Sequence, residues 1–173
     1  GKCPSYSRQF LERGPGVFPD GRYLYVMRIM VIGPSGSGKT TLLKTLGLTN
    51  DESSVRKTSF IQFFGKAIDT PGEFFDLPRF YHALITYSSK SAIILLLVDP
   101  TNLKQFPSRF VKSLRSTVIG VVNKIDLSSE EQINRAKRIL QETGVKEVVC
   151  VSALTGEGIM ELRHKIASLA GGV

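Results

Sequence analysis

Gly33-Pro34-Ser35-Gly36-Ser37-Gly38-Lys39-Thr40 sets glycines, a lysine and a hydroxyl at the spacing G-x-x-x-x-G-K-[ST]. Glycines let a backbone wrap so that successive N–H groups point inward at phosphate oxygens, and a helix opening behind them adds its positive end. Lys39 would place an ammonium between the β- and γ-phosphates of a nucleoside triphosphate, making it both a binding and a catalytic candidate. The Thr40 hydroxyl would ligate Mg²⁺, and Thr41 completes the phosphate-binding set. A Gly/Ser-rich turn can match this pattern by chance, but here a strand-like run precedes it and a helical run follows. The pattern implies a triphosphate and is silent on the base.

Asn123-Lys124-Ile125-Asp126 follows the apolar run Thr117–Val122 and carries the N-K-x-D pattern of GTPases. Asp126 can accept hydrogen bonds from guanine N1–H and the exocyclic amine, which adenine does not offer. Asn123 can reach the opposite edge of the base, and the Lys124 stem can lie over the ring. A buried aspartate facing adenine would stay unpaired, at about 1–3 kcal/mol. Ser152-Ala153-Leu154 supplies a third element, in which the Ala153 N–H meets guanine O6.

Asp69-Thr70-Pro71-Gly72 matches D-x-x-G. Asp69 would hold Mg²⁺ through water and the Gly72 N–H would meet the γ-phosphate, so that loop order depends on the third phosphate. An Asp-capped Thr-Pro-Gly turn is the competing reading. Thr58 is the expected threonine ligand of Mg²⁺, with Ser53, Ser54 and Ser59 as competitors. Glu73 can take a proton from an attacking water, yet its charge repels the γ-phosphate, so slow hydrolysis is expected. Glu73 serves equally well as an acidic residue opening a helix.

These groups need elements to hold them. Tyr23–Ile32, Ser59–Phe64, Lys66–Ile68, Ser91–Val98, Thr117–Val122 and Glu147–Val151 read as strands. Lys39–Leu48, Leu77–Tyr87 and a short stretch at Val111–Leu114 read as helices. Ser128 with Glu131 offers a capping box ahead of Ile133, Ala136, Ile139 and Leu140, Gly144 can stop that helix, and Ile159, Leu162, Ile166 and Leu169 mark a last one. Continuous Val/Ile/Leu strands alternating with helices predict an α/β fold, a mostly parallel six-stranded sheet with helices on both faces. Ligands of such sheets sit at the carboxyl ends of the strands, where all these motifs fall. Residues 1–24, broken by Gly14-Pro15-Gly16 and Pro19-Asp20-Gly21, read as an irregular leader or an expression remnant, with one domain over 25–173.

The length of 173 residues fits one domain, and 42% hydrophobic with 22% charged residues excludes a disordered or fibrous chain. The longest apolar run, Ala92–Val98, is far short of the ~20 residues of a membrane span, and no signal peptide is readable. Two cysteines, Cys3 and Cys150, make no disulfide framework, which favours the cytoplasm. The net charge of +8 divides as +3, +2 and +3 over residues 1–28, 29–90 and 91–173. A spread excess argues against a nucleic-acid footprint without excluding one. Lys104, Arg109, Lys112 and Arg115 read as a solvated face, or else as a surface for an acidic partner. His82 and His164 lack partners at metal-ligand spacing, and Cys150 reads as a buried small hydrophobe.

With its motifs in this order, the chain resembles a P-loop translation-factor-class GTPase of the Ras-like fold. Met27–Lys165 is similar to the EutP/PduV-like small GTPases of ethanolamine and propanediol utilisation. That resemblance rests on Arg28-Ile29-Met30-Val31-Ile32-Gly33-Pro34-Ser35, Asp69-Thr70-Pro71-Gly72-Glu73, Tyr81-His82-Ala83-Leu84 and Val118-Ile119-Gly120-Val121-Val122. It implies a three-layer G domain, GTP and GDP as ligands with Mg²⁺, and a cytoplasmic bacterial protein associated with shell or pathway proteins of a catabolic microcompartment. Two other readings stay open: a P-loop kinase acting on a small molecule, and a static nucleotide-binding adaptor.

Overall fold

The computed structural model describes residues 29–46, 62–64, 67–69, 79, 81–88, 93–107 and 109–171. Thr58, Thr70, Gly72 and Glu73 lie outside the described residues, as does the whole leader. Six strands, β1 (Ile29–Ile32), β2 (Gln62–Phe64), β3 (Ala67–Asp69), β4 (Ile93–Val98), β5 (Thr117–Val122) and β6 (Glu147–Cys150), form one sheet in the order β2-β3-β1-β4-β5-β6. β2 runs antiparallel to β3, and every other pairing is parallel. Four helices are described: α1 (Lys39–Thr45), α2 (Tyr81–Ser88), α3 (Glu130–Glu142) and α4 (Ile159–Gly171).

The period-2 alternation of strand side chains divides the core in two. Ile29 and Val31, Ile93, Leu95 and Leu97, and Ile119 and Val121 pack with Leu42 and Leu43 of α1 and Ile159, Leu162 and Ile166 of α4. Met30 and Ile32, with Ile94, Leu96 and Val98, face the other way, onto Leu84 of α2 and Ala136 and Leu140 of α3. Both faces of β1 and β4 are therefore covered, which is why these strands carry no polar residue. The result is the three-layer α/β arrangement expected from the sequence.

β1 lies between β3 and β4, so the chain winds to one side after β1 and to the other from β4 onward. In open sheets of this kind the loops that follow the strands on either side of this switch point form the ligand crevice at the carboxyl edge. The β4–β5 register pairs Val98 with Val122, so the residues that follow, Asp99 and Asn123, leave the sheet side by side. A further backbone bond, Asn123 N–H to the Val98 carbonyl at 3.0 Å, extends the ladder to that point.

Several boundaries differ from expectation. The helix expected at Leu77–Tyr87 is described over Tyr81–Ser88 and ends one residue later, and the strand expected at Lys66–Ile68 is described over Ala67–Asp69 and likewise ends one residue later; Leu77, Pro78, Phe80 and Lys66 lie outside the described residues. The short helix at Val111–Leu114 is a 3-10 turn at Phe110–Ser113, which buries Phe110 and Leu114 and leaves Lys104, Arg109, Lys112 and Arg115 exposed. The capping box of α3 is formed by Ser129 and Gln132 rather than Ser128 and Glu131. The Ser128 hydroxyl is spent elsewhere, donating to the Lys124 carbonyl at 2.8 Å. Cys150 is half-buried rather than buried, and burial pushes its thiol pKa up. His82 and His164 sit exposed on helix surfaces.

Candidate functional site

The loop from Gly33 to Gly38 joins β1 to α1, turning on left-handed glycines at Gly36 (φ 78°) and Gly38 (φ 93°). Lys39, the first residue of α1, is only 8% exposed. A buried ammonium must be hydrogen-bonded, and Nζ donates to the Gly33 and Pro34 carbonyls, both at 2.8 Å. The lysine thus lies across the concave side of the loop. Ser35, Gly36 and Thr41 are exposed, whereas Thr40 is half-buried in the first turn of α1.

Asn123 occupies the centre of the site and is 2% exposed. Its Nδ2 donates to the Ser37 carbonyl at 2.9 Å, and its Oδ1 accepts the Ala153 N–H at 3.0 Å. The side chain expected at one edge of a purine therefore ties the glycine loop to the Ala153 loop. Each Nδ2 has two hydrogens, so one contact to a ligand remains chemically open to it. The Ala153 carbonyl in turn accepts the Thr45 hydroxyl at 2.7 Å, which fastens the end of α1 to the same loop.

Lys124 adopts a left-handed backbone (φ 57°) that non-glycine residues rarely take. Strain of this kind costs of the order of 1–3 kcal/mol and persists only where the surroundings impose it. Here Nζ donates to the Gly36 carbonyl at 2.6 Å and to Asp99 Oδ2 at 2.7 Å. Behind it the Leu127 N–H returns to the Lys124 carbonyl at 3.0 Å and closes the 3-10 turn Ile125–Leu127. Asp126 stands exposed on that turn.

Asp99 was not singled out in the sequence. It is 8% exposed, and its other oxygen, Oδ1, accepts both the Thr101 N–H at 2.9 Å and the Thr101 hydroxyl at 2.5 Å. Burial pushes its carboxyl pKa up, but the hydrogen bonds from Lys124 and Thr101 outweigh it and hold the group below the usual carboxylate range. The signal was an acidic residue ending the wholly apolar β4, and only the β4–β5 register shows what it meets.

Ser152 also plays a part other than the one expected. It is fully buried, and its hydroxyl accepts the Thr155 N–H at 3.1 Å, so it shapes the loop and does not face the crevice. Leu154 is 80% exposed.

Metal binding can be judged from the donor set. Among the described residues no three His, Cys, Asp or Glu side chains cluster. A hydroxyl at Thr40 and an aspartate closing β3, where the register sets Asp69 beside Val31, would offer hard oxygen donors to a site completed by phosphate and water. That donor set fits Mg²⁺, which retains several waters and is bound through few protein groups.

The sequence model of the family described as "Ethanolamine utilisation - propanediol utilisation" matches residues 26–168. The propanediol utilization protein PduV of Citrobacter freundii is 34% identical over 136 residues, covering 78% of this chain and 89% of its own. A protein of Escherichia coli (strain K12) named probable acetate kinase EutP is 32% identical over 147 residues, covering 82% and 90%. Among solved structures, the bacterial selenocysteine-specific elongation factor EF-Sec superposes with a TM-score of 0.65 at 27% identity, over 85% of this chain. The chain spans 29% of that larger factor, so the likeness is to one part of it. The fold is that of the Ras-like G domains.

Proposed function

The chain belongs to the PduV-EutP family of ethanolamine and propanediol utilisation, and on that premise we propose that it binds GTP and GDP and hydrolyses GTP slowly with Mg²⁺. In this reading Gly33–Thr41 and Gly72 hold the phosphates and Asn123, Lys124 and Asp126 read guanine, while the Ala153 N–H, which donates to Asn123 Oδ1 in this structure, would have to turn from it to meet O6. Thr40, Thr58 and, through water, Asp69 face the metal. Mg²⁺, when bound, would neutralise phosphate charge. The biological role is that of a switch or accessory protein of a cytoplasmic microcompartment, with shell or pathway proteins as partners.

The observation that carries this reading is the junction of the two loops. Asn123 and Lys124 reach the Ser37 and Gly36 carbonyls at 2.9 and 2.6 Å, so a base-reading turn and a phosphate loop are built as one object. Asp126 is left exposed at the end of that object, with its carboxylate available to an N1–H and an amine. Adenine has an N1 acceptor at that position, and a carboxylate facing it loses its bonds and meets a like-signed lone pair.

A second reading, phosphoryl transfer to a small carboxylate, is favoured by the name of the Escherichia coli relative, a probable acetate kinase. Purified chain incubated with GTP or ATP, each with and without acetate, separates the readings. Free phosphate from GTP irrespective of acetate supports the hydrolase. Acetyl phosphate formed only with acetate supports the kinase, and binding without either product supports the static adaptor.

A further inference from the structure

We propose that Asp99 is the positioning residue that clamps Lys124 onto the phosphate loop, so that its carboxylate sets how fast a nucleotide is released. The inference rests on the reading of the crevice as a nucleotide site, but the clamp itself is a property of this chain's own residues. Lys124 is 31% exposed at its side chain, and a lysine so placed carries considerable rotamer freedom. One carbonyl, that of Gly36, would hold it weakly. Asp99 Oδ2 at 2.7 Å adds a charge-assisted bond from the opposite side and fixes the ammonium between the loops.

The carboxylate is itself held. Oδ1 takes two hydrogen bonds from Thr101, and the adjacent ladder bond from Asn123 to Val98 fixes the backbone on both sides. The chain of support runs Thr101, Asp99, Lys124, Gly36, from the loop after β4 to the crest of the phosphate loop. Gly36 itself is exposed and left-handed, with open space where a side chain would stand, so the Lys124 tether restrains the crest from outside. Loss of the tether should loosen the crest and the base-reading turn together.

The test uses Asp99→Asn, which keeps the volume and removes the charge, and Thr101→Val, which removes one supporting bond. Release of a fluorescent GDP should be about tenfold faster in Asp99→Asn and less affected in Thr101→Val. In a Lys124→Met background the Asp99 substitution should add nothing, because the clamp has already gone. In parallel, hydrogen exchange without nucleotide should be faster at Gly36–Gly38 and Lys124–Leu127 in Asp99→Asn, with α3 unchanged. An Asp99 effect that persists undiminished with Met at 124, or unaltered exchange at Gly36–Gly38, overturns the clamp. If the wild type binds no guanine nucleotide, the functional reading fails, while the exchange comparison still decides the clamp.

Discussion

A methyl group added at Gly38 should be far more damaging than one added two residues earlier at Gly36, although both glycines are left-handed. Gly38→Ala forces an L-residue into φ 93°, and its Cβ would land well inside contact distance of Asn123 Nδ2. Gly36→Ala meets a similar φ of 78° but no atom within 4 Å. The left-handed conformation alone costs about 1–2 kcal/mol in each variant. Displacing Asn123 additionally strands the Ser37 carbonyl and the Ala153 N–H, each buried group costing about 1–3 kcal/mol when unpaired. Allowing for some shift of the loop, Gly38→Ala should lose about 3–5 kcal/mol, a large share of the roughly 5–15 kcal/mol available to a domain. Gly36→Ala should lose no more than about 2 kcal/mol. Urea unfolding followed by circular dichroism gives both numbers from one protocol. Equal losses in the two variants would show that Asn123 does not brace the loops.

Lys39→Ala should abolish measurable nucleotide binding by calorimetry, since it removes the cation proposed to meet the phosphates and leaves the Gly33 and Pro34 carbonyls without their donor; retained affinity would take Lys39 out of the site. Ser129→Ala should cost about 1 kcal/mol of stability through the lost cap of α3 while leaving nucleotide affinity unchanged, and denaturation with parallel titration reads both. Asp99 is held below the roughly 3.9 of a free aspartate, so its stabilising contribution is complete above that pH and is lost as pH falls through the lower folded value. The stability gap between wild type and Asp99→Asn should therefore be constant from pH 7 to about 5 and narrow below about 4; a gap that stays constant to pH 3 would contradict the ion pair.

What could be read from the sequence follows from how local the cause is. Thr117–Val122 is found at its expected limits because six consecutive residues suit a buried strand and the Asn-Lys that follows must leave it. The glycine loop was legible because its chemistry is carried by contiguous residues. The cap of α3 was displaced by one residue because Ser128 and Ser129 each stand three residues before a Glu or Gln. Only the preceding turn, which engages the Ser128 hydroxyl, decides between them. Asp99 was illegible for a different reason. Its partner lies across a strand pairing, and knowing that β4 neighbours β5 in register is what brings Val98 to Val122 and the carboxylate to the ammonium. Ser152 shows the reverse error: a motif position points to a ligand contact, whereas the tight turn to Thr155 claims the side chain.

A guanine nucleotide seated on the glycine loop should be read by Asp126. Competition of GDP, ADP and XDP against a fluorescent GDP, for the wild type and for Asp126→Asn, measures that selectivity. GDP should displace the probe from the wild type at least a hundredfold better than ADP, a gap of about 2.7 kcal/mol. In Asp126→Asn the order should pass to XDP, whose C2 carbonyl accepts where guanine donates. An unchanged preference for GDP in Asp126→Asn, or ADP competing as well as GDP in the wild type, would contradict that role of Asp126.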